Sequence, residues 1–166
     1  MTTEEEIQVR IKKSSLAADR RQEEQKQMML DRKEGIAFIH NNDLPVMVKL
    51  LSDLSYLTIV AIEEEEKYNV VTYRFAYALC SPRDQFSLKT AKGLAGKRLI
   101  DEDDRFCFWL VTDERITPKA LLSSCYYHLV MEALCSHREL PDCFRRVCLK
   151  DTVALDDWGT SYYGID

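Results

Sequence analysis

A change of side-chain period near residue 55 constrains this chain more than any other feature. Ser55–Ile62 (SYLTIVAI) and Tyr68–Leu79 (YNVVTYRFAYAL) are rich in Val, Ile, Thr, Tyr and Phe. Such side chains fit a pleated surface and lose rotamer freedom in a helix. In the second run Val71, Tyr73, Phe75 and Tyr77 fall on one face and Val70, Thr72, Arg74, Ala76 and Ala78 on the other. Two antiparallel strands are predicted, with Glu63–Lys67 as their charged connection.

Around this pair the pattern is helical. Residues 3 to about 40 are rich in Glu, Gln, Lys, Arg, Ala and Met, with no Pro and no Gly before Gly35. Their apolar stripe is thin: Ile7, Ile11, Leu16, Met28 to Leu30, then Ile36 to Ile39. So interrupted a stripe buries little in a monomer, which predicts an arm over residues 1–40 that packs on a partner or on another copy. Asn42 and Asp43 with Pro45 predict a short helix over about 44–54. Ser81-Pro82-Arg83-Asp84 reads as a capping box with proline at the first helical position, opening a helix from 82 to about 99. Phe86, Ala91, Leu94, Ala95 and Leu99 are its candidate buried positions, and Gly93 and Gly96 suggest close approach to the sheet. A third strand is expected at Arg105–Thr112, a helix from Thr117-Pro118 to about 138, and a short helix from Pro141 to Val147. The tail Asp156–Asp166 is expected to lie over the surface. The sum is an α+β fold: a small antiparallel sheet of about three strands packed by helices, with residues 41–166 as a single domain behind the N-terminal helical arm.

Of the 166 residues, 46% are hydrophobic, enough for a core, so wholesale disorder is excluded. No apolar run approaches the roughly 18 residues of a membrane helix, and MTTEEEIQVR lacks a signal-peptide layout. A soluble, cytoplasmic protein with no membrane partner is expected. The net charge of −5 argues against direct nucleic-acid binding. That charge is unevenly spread. Residues 81–100 hold five basic side chains against one acidic, whereas Glu63, Glu64, Glu65 and Glu66, and then Asp101, Glu102, Asp103 and Asp104, form acidic runs.

The residues with chemical potential do not form a catalytic constellation. Cys125 and His128 share a helix face, but the six cysteines have irregular spacings and no paired C-x-x-C knuckles, so this pair is only a weak metal candidate. Reduced core thiols are the expectation. His40, His128 and His137 lie beside no nucleophile elbow, and no phosphate loop or dinucleotide fingerprint occurs. No catalytic residue, cofactor or enzyme activity is expected. Arg74, Arg83, Lys89 and Lys92, gathered around the predicted helix start, are candidate anion ligands, with Tyr73, Tyr77 or Phe86 to stack a base. The two acidic runs are candidate contacts to a protein partner.

Residues 76–99, AYALCSPRDQFSLKTAKGLAGKRL, resemble a segment of small uncharacterised phage and prophage proteins. In that segment a strand runs into a Cys-Ser-Pro-Lys-Asp-x-Phe-Ser motif and a helix carrying Lys, Gly, Ala and a final Gly-Arg. The present chain has Ala91-Lys92 where those proteins have a Gly-Arg pair. The resemblance implies a phage-type accessory protein in the host cytoplasm, and no reaction. The expected function is a binding protein that occludes a host defence effector, for example a CRISPR nuclease. The alternatives are a sponge for a small phosphorylated signal such as a cyclic nucleotide, and a virion or assembly-associated structural protein. Homo-oligomerisation through the N-terminal arm is compatible with each.

Overall fold

The computed structural model describes residues 3–135, 144–146, 148 and 159–165. Helix α1 spans Glu4–Asn41. Thr3 caps it through a capping box in which its hydroxyl accepts from the Glu6 N–H and the Glu6 carboxylate accepts from the Thr3 N–H. Every residue from Glu4 to Leu30 is exposed, and burial begins only at Gly35 and Ile39. The thin stripe thus behaves as its composition predicts.

Strands β1 (Val46–Leu50), β2 (Tyr56–Lys67) and β3 (Val70–Cys80) follow as an antiparallel meander. Helix α2 (Leu88–Asp101) leads into β4 (Cys107–Thr112), and α3 (Pro118–Cys135) precedes β5 (Thr160–Tyr163). The sheet order is β4-β3-β2-β1-β5, and every neighbouring pair is antiparallel.

The alternation of β3 divides the interior in two. On one face Met47, Leu57, Ile59, Val71, Tyr73, Phe75, Tyr77 and Phe108 pack with Leu122, Cys125, Leu129 and Ala133 of α3. On the other, Val46, Val60, Ala76, Ala78 and Cys107 pack with Ala95 and Leu99 of α2 and with Ile39 near the end of α1. The sheet is a middle layer, with α3 on one side and α2 plus the end of α1 on the other.

Several expectations are corrected. The sheet has five strands, not about three. The segment expected to be helical at 44–54 is β1 instead. Its residues VMVK are buried on both faces, which removes the alternation that marks a half-exposed strand. Glu63–Lys67 is no connection: it continues β2, and the reversal falls at Tyr68 and Asn69, both in the left-handed region. Helix α2 does not begin at Pro82. Ser81-Pro82-Arg83-Asp84 forms a turn in which the Asp84 N–H donates to the Ser81 carbonyl and the Arg83 N–H to the Ser81 hydroxyl. The helix is capped by Ser87, whose hydroxyl accepts from the Thr90 N–H.

Ala91, Ala95 and Leu99 are buried as expected, while Leu94 is exposed and Phe86 is half-buried against Tyr56, with ring centroids 4.4 Å apart. Gly93 and Gly96 bring α2 close to another helix, not to the sheet. A Cβ on Gly93 would lie 2.8 Å from the Arg32 carbonyl oxygen, and one on Gly96 would lie 2.5 Å from that of Gly35. The described end of the tail adds an edge strand, β5, whose register is Val46↔Tyr163 to Lys49↔Thr160. Of the short helix expected at 141–147, residues 144–146 are helical and the others lie outside the described residues. The same holds for His137, Cys143 and residues 156–158. No helix among the described residues is long and apolar enough to cross a membrane.

Candidate functional site

The anion candidates do not converge. Arg74 lies six residues before the end of β3, so about 20 Å of strand separates it from the turn that holds Arg83. It faces the C-terminal end of α2, where its guanidinium pairs with Glu102 and with Glu64. Arg83 and Lys89 are exposed and Lys92 is half-buried further along α2. The N-terminus of α2 borders a small cavity of about 210 Å³, lined by Cys80, Asp84, Phe86, Ser87 and Thr90 among others and by no basic side chain. Burial and the neighbouring Asp84 carboxylate both push the Cys80 thiol upward.

The aromatic candidates are equally dispersed. Tyr73 and Tyr77 are buried on the α3 face, on the opposite side of β3 from Arg74. The Tyr73 hydroxyl accepts from the Ile116 N–H at 3.2 Å, and the Tyr77 ring packs against Phe106, Phe108 and Phe144.

Lys97 and Arg98, in the last turns of α2, have specific partners. The Lys97 ammonium reaches Glu34 of α1 at 2.9 Å and Asp101 at 3.3 Å, and these contacts raise its pKa. Arg98 lies 3.5 Å above the Phe106 ring and donates to the Tyr77 carbonyl at 2.9 Å; burial lowers its pKa.

Cys125 is fully buried among apolar neighbours, which pushes its thiol upward and makes thiolate ligation unfavourable. The His128 ring meets Phe75 and Phe108 edge-on at 5.7 Å each, and its Nε2 is 3.6 Å from Glu132. No group of three or more His, Cys, Asp or Glu among the described residues is arranged to hold a metal.

The acidic runs, in contrast, do meet. Glu63–Glu66 ends β2, whereas Asp101–Asp104 caps α2 and leads to β4 on the far side of β3. Arg74 on β3 joins them by holding Glu64 and Glu102 together. Asp103 closes the second run with a local ring: its carboxylate accepts from the Arg105 backbone N–H at 3.1 Å and from the guanidinium at 3.2 Å. These bonds hold the Asp103 pKa below its ordinary value.

Beside Arg74 no helix among the described residues covers Trp109 and Val111 of the sheet. Trp109 of β4 is opposite Arg74 in the register, and its indole N–H donates to Glu64 at 3.2 Å. Val111, opposite Thr72, is 62% exposed, Trp109 37% and Val70 39%. The result is an aromatic and aliphatic surface with carboxylates from two distant segments along its border.

Sequence reasoning missed Trp109, Val111 and the bridging role of Arg74. The first two had a signal. Cys107, Trp109 and Val111 share one face of β4 while Phe108 and Leu110 share the other, so both faces needed a cover. A scan of protein-family models and searches of curated proteins and solved structures find no match to the chain.

Proposed function

We propose that this chain is a phage-type, non-enzymatic binding protein that inhibits a host defence effector, such as a CRISPR nuclease, by occluding a basic nucleic-acid-binding surface. The observation that carries the reading is the joining of two acidic runs by Arg74 beside the open Trp109–Val111 surface. Carboxylates held on a strand and at a helix end compete for a cationic groove at little cost in chain ordering, because their backbone is already folded. A tryptophan at the centre of a polar border is the residue type that most often dominates interface energy. The resemblance of residues 76–99 to phage accessory proteins supplies the biological setting.

The test is a competition assay, in which the purified protein is titrated into an effector–nucleic acid complex and release is followed by mobility shift. Displacement is expected from the native chain. Trp109→Ala should weaken it about 30-fold, equivalent to about 2 kcal/mol. Neutralising one exposed member of each run, Glu65→Gln with Asp104→Asn, should weaken it further while leaving Arg74 and its partners in place. Displacement unchanged by all these substitutions would eliminate the occlusion reading.

A further inference from the structure

Strand β2 is paired on both sides over only half its length. On one side β3 accompanies it to Lys67↔Val70; on the other, β1 ends at Val46↔Val60. The cause is local. Continuing the register would set Pro45 against Ala61, and proline has no N–H for a ladder. From there the chain turns through Asp43, in the left-handed region, into α1, where the Leu44 N–H donates to the Ile39 carbonyl. Residues 61–67 therefore present about 20 Å of edge, with a bulge between Glu63 and Glu65, that pairs on this side with no strand among the described residues.

A cleft of about 440 Å³ opens beside the start of this edge. Its apolar wall includes Ala61, Tyr73, Ile116 and Leu121; Asp43 and Glu63 bring carboxylates to it, and Arg115, paired with Glu63, brings a guanidinium. An open edge in line with an existing strand, next to an apolar cavity, has the two parts that strand-addition sites use. Main-chain hydrogen bonds supply affinity, and a pocket for alternate side chains supplies selection.

The charges decide what fits. A second copy pairing antiparallel edge to edge would set glutamates against glutamates in the middle of this run, which is unfavourable. Arg115 already spans Glu63 at 2.8 Å and Glu66 at 2.7 Å, and Arg74 holds Glu64. Glu65 and Asp43 have no ion pair among the described residues. By the register Glu65 lies with Thr72 on the face away from α3, so an added strand meets the cleft on one side and this carboxylate on the other.

We infer that the open edge of β2 at residues 62–67 is a docking site for an extended peptide segment with alternating apolar and basic side chains. The apolar residues enter the cleft over Ala61, Ile116 and Leu121, and the basic residues on the other face approach Glu65. The inference shares Glu65 with the occlusion reading, but the edge and cleft do not involve the Trp109–Val111 surface on which that reading also depends.

The probe is the blocked peptide Lys-Val-Lys-Leu-Lys-Val-Lys, titrated into the full chain and followed by amide NMR and hydrogen exchange. Binding is expected with shifts and slowed exchange concentrated in residues 62–67. The same peptide N-methylated at alternate backbone positions keeps its charge and loses one hydrogen-bonding edge, so its binding should be lost. The Glu-for-Lys peptide should not bind, and Glu65→Lys, a change at an exposed site, should weaken the basic peptide about tenfold. Equal binding of the N-methylated peptide would reduce the contact to charge attraction and overturn strand addition. Shifts centred on Trp109, or no binding of the basic peptide, would also overturn it. None of these outcomes changes the Trp109→Ala competition result, so the two readings fail separately.

Discussion

Single residues set the spacing of this fold where two helices cross. Gly35 on α1 meets Gly93 and Gly96 on α2 so closely that a Cβ on Gly35 would lie 2.0 Å from the Gly93 carbonyl oxygen and 2.7 Å from the Lys97 amide nitrogen. Both obstacles are backbone, so no side chain can move aside. Gly35→Ala must push the helices apart and is expected to destabilise the protein by about 3 kcal/mol, the upper part of the range for overpacking. Urea denaturation of the two chains checks this; an unchanged midpoint would show that the helices are not in contact in solution. Asp103 sets the approach to β4 in a different way. Its pKa lies below the ordinary 3.8 because Arg105 donates side-chain and backbone hydrogen bonds to it. A carboxylate lowered in the folded state stabilises above its unfolded value, and that contribution disappears as pH falls through the folded value. Stability should therefore drop as pH is lowered below about 4, and Asp103→Asn should remove part of that slope when denaturation midpoints are compared across pH. An identical slope in the variant would assign the acid sensitivity to other carboxylates.

At the scale of elements, α1 is two things in one helix. Every residue from Glu4 to Leu30 is exposed, while Ile39 is 2% exposed beneath α2 and the sheet. A helix of that polarity outside a core depends on local pairs of about 0.2–0.5 kcal/mol each and on whatever it meets. Removing residues 1–27 is thus expected to leave the thermal midpoint of the remainder unchanged, whereas Ile39→Ala should cost about 2–5 kcal/mol. Calorimetry on the two variants distinguishes the outcomes, and a large loss on truncation would mean that the arm folds back or self-associates. The strands show a related division. β3 alternates in burial from Val70 to Phe75 and is buried on both faces from Phe75 to Ala78, while β1 is apolar on both faces and reads as an undivided run.

Across the whole molecule, charge is distributed by contact more than by sequence neighbourhood. The acidic runs are 35 positions apart from Glu66 to Asp101 in the chain, yet Arg74 joins them, and Arg115 reaches back to the first run from beyond β4. The basic segment 81–100, by contrast, is spread along a turn and a helix, and two of its members are occupied by α1 and Phe106. An exposed acidic border acting on a cationic groove is screened by salt over a distance of about 10 Å at 0.1 M. The displacement expected in the competition assay should accordingly weaken as salt rises, with the Trp109-dependent part least affected.

The sequence by itself determined the features that rest on local pattern. The long polar helix of α1, the two-faced alternation of β3, β4, and α3 with Leu122, Cys125, Leu129 and Ala133 inward all follow from periodicity within one segment. The tertiary structure alone decided whatever depends on a distant neighbour. β1 is a strand because β2 and β5 pair with it, and β5 is a strand because β1 presents an edge. Helix α2 starts at Ser87 because Ser81–Asp84 satisfies its own turn first, a competition that both serines could have won by sequence alone. The candidate surface was legible as two acidic runs and not as one site. Their union requires Arg74 on an intervening strand, and side chains far apart in the chain become neighbours only when the sheet is assembled.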